Sequence, residues 1–217
     1  MQPIPDATYY VDLLAQAAAA IKAGDPEALV ISTALAPSES TNRALAVTDL
    51  HFFRALFAMP AFWSHVDAVG VHVFGCANPP DTLWPIKPGR GMGWTNSREF
   101  YFRRVEDVRA AMLESGHGDR QIWITEFDWA TANNTPGHEF GNQVSFEQQA
   151  AYLVQAFEMG RYDYSPWVGA MFVWNLNFAV TWQNVGNSLH QMAAYGVLNG
   201  NWSPRPAYYA LQQMPKP

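Results

Sequence analysis

Short apolar runs alternate with amphipathic segments along most of the chain, and this alternation constrains the fold more than any other feature. Four runs have the length and composition of strands buried on both faces: residues 28–34, 66–74, 121–127 and 167–174. Apolar residues spaced three and four apart predict helices over residues 9–23, 48–59, 97–114, 145–159 and 206–213. Strands that alternate with helices form parallel sheets with right-handed crossovers. The predicted fold class is therefore α/β.

Local signals mark several helix ends. Asp6 or Thr8 can cap the first helix, and Gly24 can end it. Pro60 is expected to end the second helix. Ser145 and Gln148 have the spacing of a capping box, which predicts the start of the helix over residues 145–159.

Two of the predicted strands carry polar side chains in an otherwise apolar pattern. In the strand 121–127, period two places Glu126 on the face of Ile122 and Ile124, and in the strand 66–74 it places His72 on the face of Gly70. We expect these faces to point into the interior of a barrel. A carboxylate in a packed interior is costly unless it is paired or used, so Glu126 is either functional or a solvated or salt-bridged strand-end residue.

Composition limits the classes of function. With 217 residues, 49% of them hydrophobic, the chain is expected to form one domain over residues 1–217. Its 13 basic and 19 acidic residues give a net charge of -6, which makes nucleic acid an unfavourable partner. The single cysteine, Cys76, excludes an intrachain disulfide and is expected to be a buried thiol. No metal-ligand spacing and no glycine-rich phosphate loop occurs, so neither a metal nor a cofactor is predicted.

Membrane and export signals are also absent from the printed sequence. No stretch approaches the ~20 apolar residues of a membrane span, so no membrane partner is expected. The first residues, Met1-Gln-Pro-Ile-Pro-Asp6, lack the charged and apolar regions of a signal peptide. The compartment stays undetermined.

The segment Gln121-Ile-Trp-Ile-Thr-Glu-Phe-Asp-Trp129 resembles the strand-seven signature of glycoside hydrolase clan A, especially its family 39-like and family 5-like members. The usual form of that signature is Thr-Glu-Phe-Gly-Trp. Other segments resemble the clan in the same order: residues 67–75 resemble strand six, residues 169–174 strand eight, and residues 195–209 the closing loop and last helix.

This resemblance implies a partial TIM (β/α)8 barrel, roughly strands five to eight with their helices. In the clan, the acid/base glutamate lies in an Asn-Glu-Pro motif at the end of strand four, and no such motif occurs in this sequence. We expect that the chain lacks strands one to four and the general acid. It would then need a missing N-terminal half or a second copy, as in a homodimer, to close the barrel. Members of these families are often secreted.

The resemblance also implies the site residues. Glu126 takes the position of the catalytic nucleophile. The expected ligand is an oligosaccharide or another glycoside, and the candidate substrate-binding residues are His72, Phe74, Trp84, Trp94, Asp128, Trp129 and Trp174. His72 can instead be a satisfied core histidine, Trp174 can stack on the sugar and also pack in the core, and Asp128, where the clan has glycine, can serve as a turn or cap residue.

A second carboxylate is harder to find. Glu39, Asp81 and Glu139 follow the predicted strands at the appropriate end of a barrel, but each fits a solvated loop charge better than an acid. The leading hypothesis is therefore a glycoside hydrolase-like protein with the nucleophile half of the site, inactive alone. The alternative is a non-catalytic carbohydrate-binding or scaffold protein derived from a glycosidase. A barrel hydrolase that uses Glu126 as a general base is a third, weaker hypothesis, because no second catalytic group is apparent.

Overall fold

The computed structural model describes residues 5–39, 42, 46–86 and 97–216. Its α-helices are α1 (Ala7–Gly24), α2 (Asp49–Phe57), α3 (Pro60–Trp63), α4 (Arg104–Glu114), α5 (Phe146–Glu158), α6 (Ala179–Asn184), α7 (Gln191–Ala194) and α8 (Pro206–Gln213). Its strands are β1 (Ala68–His72), β2 (Gln121–Phe127) and β3 (Val168–Val173). Short 3-10 helices span Arg98–Phe100 and Glu139–Gln143, and a π-helical turn spans Met159–Asp163.

The three strands form one parallel sheet in the order β1-β2-β3. This arrangement confirms the α/β class and three of the four predicted strands. The outer edge of β3 has no strand partner among the described residues.

The first predicted strand, residues 28–34, is not a regular strand in the structure. This segment runs parallel to β1 but forms only an isolated bridge, between Ile31 and Ala68. Side chains take the place of a regular ladder: the amide of Gly70 donates to the Ser32 hydroxyl at 3.1 Å, and the amide of Thr33 donates to the Tyr10 hydroxyl at 2.7 Å. Because these donors are satisfied by hydroxyl groups, the backbone stays paired without adopting strand regularity.

The helix predicted over residues 97–114 is also corrected. The chain makes a 3-10 turn at Arg98–Phe100, becomes extended at Tyr101 and enters α4 only at Arg104. Tyr101 is buried, and its hydroxyl donates to the carbonyl of Ile86 at 2.6 Å. Burial of this ring and of Phe102 accounts for the break, because a continuous helix would carry the two adjacent rings in different directions.

The predicted helix ends agree with the structure in most places. The Asp6 carboxylate accepts the amides of Thr8 and Tyr9 at the start of α1, and both hydrogen bonds of the capping box between Ser145 and Gln148 are present. The second predicted helix stops at Phe57, and Pro60 starts the single turn α3. None of the described helices is both long and apolar enough to cross a membrane.

One face of the sheet is packed beneath the helices, and the other is partly open. Val69 and Val71 of β1 pair with Ile122 and Ile124 of β2, and all four are buried in the core. On the opposite face, Phe172 of β3 keeps 49% of its surface exposed.

The pairing shifts before the strand ends. Val71 pairs with Ile124 but His72 pairs with Glu126, so the register passes over Thr125. The expectation that Glu126 shares the face of Ile122 and Ile124 is therefore wrong. The irregularity turns Glu126 to the face of His72, while the two isoleucines remain in the core.

Candidate functional site

A cavity of about 300 Å³ lies at the carboxyl ends of the strands, where sites of α/β folds commonly occur. Its walls come from the segments that follow residues 28–34 and each of the three strands. The lining residues are Ala36, Pro37, Phe74, Cys76, Glu99, Phe100, Glu126, His138, Phe140, Trp174, Gln191, Met192 and Tyr195. A larger cavity of about 500 Å³ lies beside the outer edge of β3, but no carboxylate or histidine lines it. Of these two cavities, the smaller one is lined by acidic and histidine residues, and it is the one that Glu126 enters.

Glu126 reaches this cavity from the end of β2 and lies beside His72. The Oε2 atom of Glu126 is 3.5 Å from Nδ1 of His72, and the two side chains keep 25% and 20% of their surface exposed. The sheet fixes the backbones around them, since the amide of Val73 donates to the carbonyl of Glu126 at 3.1 Å. A carboxylate held on regular structure and open to a cavity can act as a nucleophile.

Burial changes the ionisation of both groups. Partial loss of solvent raises the pKa of Glu126 and lowers the pKa of His72, because each charged form is poorly solvated. His72 is therefore biased towards a neutral imidazole beside Glu126, where it can donate one hydrogen bond to a ligand or to the carboxylate.

Aromatic rings form much of the cavity wall. Trp174 directly follows β3 and packs edge-on against Phe178, with ring centroids 5.2 Å apart. Phe74, two residues after β1, packs against Tyr195 at 5.8 Å. Flat apolar faces beside a few polar groups are what the C–H faces of a sugar ring require. The peptide bond between Trp174 and Asn175 is cis.

A second acidic residue, Glu99, lines the same cavity. It lies in the 3-10 turn between β1 and α4, and it accepts a hydrogen bond from the backbone amide of Glu39. Burial raises the pKa of Glu99, the hydrogen bond from Glu39 lowers it, and the nearby charges of Glu39 and Asp49 raise it further. Glu99 was not a candidate from sequence, because it falls in the first turn of the helix predicted over residues 97–114 and no motif surrounds it.

Cys76 also contributes to the cavity wall, but its thiol is not activated. The residue is 4% exposed, and burial, together with the charge of Glu99, raises the pKa of the thiol. The expectation of a buried thiol is confirmed. The protonated sulfur therefore lines the cavity without serving as a nucleophile.

Two residues predicted to bind substrate lie behind the cavity. The carboxyl group of Asp128 is fully buried, accepts the amide of Trp129 at 2.5 Å and the side chain of Gln149 at 3.3 Å, and has a pKa raised well above its ordinary value by burial. Trp129 is also fully buried, and its indole N–H donates to the carbonyl of Asn78 at 2.7 Å. Neither residue lines the cavity, so neither is retained as a ligand contact.

The remaining candidates lie elsewhere. Trp84 is 44% exposed and stacks under the guanidinium of Arg98, 5.8 Å from the ring centroid, outside the cavity lining. Trp94 lies outside the described residues. Glu39, Asp81 and Glu139 do not line the cavity; Glu39 pairs with Arg104 at 2.7 Å, and Glu139 accepts the amide of Gly137.

Other lining residues lie in the connections after β2 and β3 and were not candidate site residues from sequence. His138 and Phe140 lie in the segment after β2, and Gln191, Met192 and Tyr195 lie in the segment after β3. Only their position after a strand could have indicated them. Within the described residues, no group of three or more histidine, cysteine or acidic side chains is arranged to hold a metal ion.

Comparisons with known proteins give a match in structure only. No family model and no curated protein matches the sequence. Xylanase 10B from Thermotoga petrophila RKU-1, solved in complex with xylobiose, aligns with 93% of this chain and 50% of its own at 19% identity and a TM-score of 0.50. A glucosidase from Croceicoccus marinus aligns with 96% of this chain and 36% of its own, at 17% identity and a TM-score of 0.56.

A family 39 glycoside hydrolase from Bacteroides cellulosilyticus WH2 aligns with 93% of this chain at 18% identity and a TM-score of 0.53, and again with 36% of its own length. The chain thus spans between about a third and a half of the length of these similar structures. The likeness shows a shared fold, and it confirms at that level the resemblance to clan A glycoside hydrolases.

Proposed function

We propose that this chain carries the nucleophile side of a retaining glycoside hydrolase site, with Glu126 as the nucleophile. The observation that carries the proposal is the position of Glu126: its carboxyl group leaves the end of a central parallel strand and enters an aromatic-walled cavity beside His72. In a retaining mechanism such a carboxylate attacks the anomeric carbon of a glycoside and forms a covalent glycosyl ester. Phe74 and Trp174 would contact the sugar ring.

The fold proposed around this site is the second half of a TIM barrel. The segment 28–34 and strands β1 to β3 would correspond to strands five to eight, as one domain over residues 1–217. The outer edge of β3, which is unpaired within the described ranges, and the adjoining cavity would then receive the strand that closes the barrel. That strand would come from an N-terminal half or from a second copy of the chain.

The proposal also predicts limited chemistry for the chain as printed. Protonation of the leaving oxygen requires a second carboxylic acid, and the Asn-Glu-Pro motif that supplies it in the clan does not occur in the sequence. Glu99 shares the cavity, but its carboxyl group accepts a hydrogen bond from the Glu39 backbone. We expect little or no hydrolysis of aryl glycosides by this chain alone.

A substrate that needs no acid tests the nucleophile directly. Fluoride departs without protonation, so 2-deoxy-2-fluoro glucosyl and xylosyl fluorides should form a stable ester on a competent carboxylate. We expect mass spectrometry of digested protein to find the sugar on Glu126, and we expect Glu126→Gln to abolish the label.

Three outcomes separate the hypotheses. Labelling at another residue, or aryl glycoside turnover that survives Glu126→Gln, contradicts the proposed role of Glu126. Sugar binding without any label supports the alternative, a non-catalytic carbohydrate-binding protein. Substantial aryl glycoside turnover that is lost in Glu126→Gln supports the nucleophile but contradicts the expected absence of an acid.

A further inference from the structure

Glu99 and Glu126 are two acidic residues that line one cavity from different parts of the fold. Glu126 ends β2, whereas Glu99 lies in the 3-10 turn Arg98–Phe100, which precedes α4. The backbone amide of Glu39 donates to Glu99 and so anchors that carboxyl group. An anchored acceptor is a fixed feature of the wall, suited to holding a ligand in one orientation.

The wall behind Glu99 carries more negative than positive charge. Two arginines lie there, but both already pair with other carboxylates: Arg104 bonds Glu39 and Asp49, each at 2.7 Å, and Arg98 pairs with Asp107. These three carboxylates and Glu99 outnumber the two arginines. Since the arginines are committed elsewhere, they leave the charge of Glu99 largely uncompensated at the cavity.

The rest of the described lining adds no positive charge. It contains neither lysine nor arginine, and burial lowers the pKa of His138, its histidine, which disfavours the imidazolium form. The aromatic members of the wall include Trp174, Phe74 and Tyr195. The electron-rich faces of such rings attract cations as well as the C–H groups of sugars.

We infer that Glu99 makes this cavity selective for glycosides that carry a positive charge, that is, amino sugars with a protonated amine, over neutral sugars and above all over uronic acids. The inference rests on the proposed function, because it takes the cavity to be a sugar site. An ammonium group that enters the cavity loses hydration, and hydrogen bonds to Glu99 or Glu126 would offset part of that loss. A carboxylate on the ligand would meet two acidic residues and no described lysine or arginine.

A series of ligands that differ mainly in charge tests the inference. Binding of glucosamine, glucose and glucuronate to the full chain is measured by calorimetry at about pH 6.5, where an amine is protonated and a carboxylic acid is ionised. We expect glucosamine to bind up to about fivefold more tightly than glucose, as for a partly exposed ion pair, and glucuronate to bind least. The preference for glucosamine should shrink as salt is added.

Two variants locate the preference. Glu99→Gln keeps the shape of the side chain and is expected to remove most of the advantage of glucosamine, while Glu147→Gln, an equal charge change at an exposed position in the first turn of α5, should leave it intact. Thermal unfolding of both variants checks that they fold. If Glu99→Gln does not fold, loss of the wild-type preference in high salt supports the inference, and persistence in high salt overturns it.

The failure of this inference is distinguishable from failure of the proposed function. Equal binding of glucose and glucosamine to the wild type overturns the charge selectivity and leaves the sugar site standing. Binding of none of the three sugars, with no label from the fluorinated glycosides, overturns both. A Glu99→Gln variant that folds and keeps the full preference for glucosamine overturns the assignment of that preference to Glu99.

Discussion

The Nδ1 atom of His72 lies 3.5 Å from the Oε2 atom of Glu126, and burial moves the pKa values of the two groups in opposite directions. The carboxyl group is biased towards its protonated form and the imidazole towards its neutral form. The two side chains therefore carry less charge than an ionised glutamate and a protonated histidine would. The reactivity of Glu126 as a nucleophile should depend on pH.

The rate of covalent labelling at Glu126 should rise with pH. Only the carboxylate attacks, and the pKa of Glu126 is raised from its ordinary value of 4.5, so labelling is lost as pH falls through the raised pKa. The measurement is the rate of ester formation from a 2-fluoro glycosyl fluoride as a function of pH. A midpoint at or below 4.5 would show that the carboxyl group is better solvated than the structure indicates.

Replacement of Trp174 by alanine should weaken sugar binding. Loss of a stacking face in the cavity removes apolar contact area, and a drop in affinity of about ten- to a hundredfold is expected, or ~1.4–3 kcal/mol. Calorimetry with the ligand that binds the wild type best provides the measurement. The matched control is Trp202→Ala, at a tryptophan 62% exposed and outside the cavity lining. Equal losses in the two variants would argue against a platform role for Trp174.

Asp128 should behave as a protonated structural group. Burial raises the pKa of Asp128 well above its ordinary value, so the fold stabilises the protonated form. This contribution to stability is lost as pH rises through the folded-state pKa. Asp128→Asn, which keeps an acceptor, should change the free energy of unfolding by less than ~1 kcal/mol near neutral pH and remove that pH dependence.

Asp128→Ala provides the comparison for the asparagine variant. It deprives the Trp129 amide of its side-chain acceptor and the Gln149 side chain of one of its partners, and it should cost ~1–3 kcal/mol. Denaturant unfolding at several pH values measures both variants. A large loss of stability in Asp128→Asn would mean that the native carboxyl group is ionised.

Gly75 should not tolerate a side chain. A Cβ atom built at this position would lie 2.1 Å from the indole nitrogen of Trp129, which itself donates to the carbonyl of Asn78. Gly75→Ala should therefore displace the indole and cost about 2 kcal/mol or more of unfolding free energy. At Gly24, the last residue of α1, a Cβ meets nothing within 4 Å, so Gly24→Ala should be neutral or slightly stabilising. Similar melting temperatures for the two variants would refute the packing argument.

The α/β class, three of the four predicted strands and the place of Glu126 at a strand end could be predicted from sequence. The strand Gln121–Phe127, the helix Pro206–Gln213 and the capping box at Ser145 have the predicted positions, because periodicity, proline and caps act over a few residues. The likeness to clan A glycosidases, first drawn from the segment around Glu126, reappears in the fold.

Only the tertiary structure decided which side chains meet in the cavity. The register passes over Thr125 and so turns Glu126 towards His72. Extended backbone at Tyr101 separates Glu99 from α4. Asp128 and Trp129 are fully buried by packing. Each of these outcomes depends on contacts between segments far apart in the chain, such as the hydrogen bond from Glu39 to Glu99. A local pattern sets how a segment folds, but burial and charge at a site are properties of the segments that surround it.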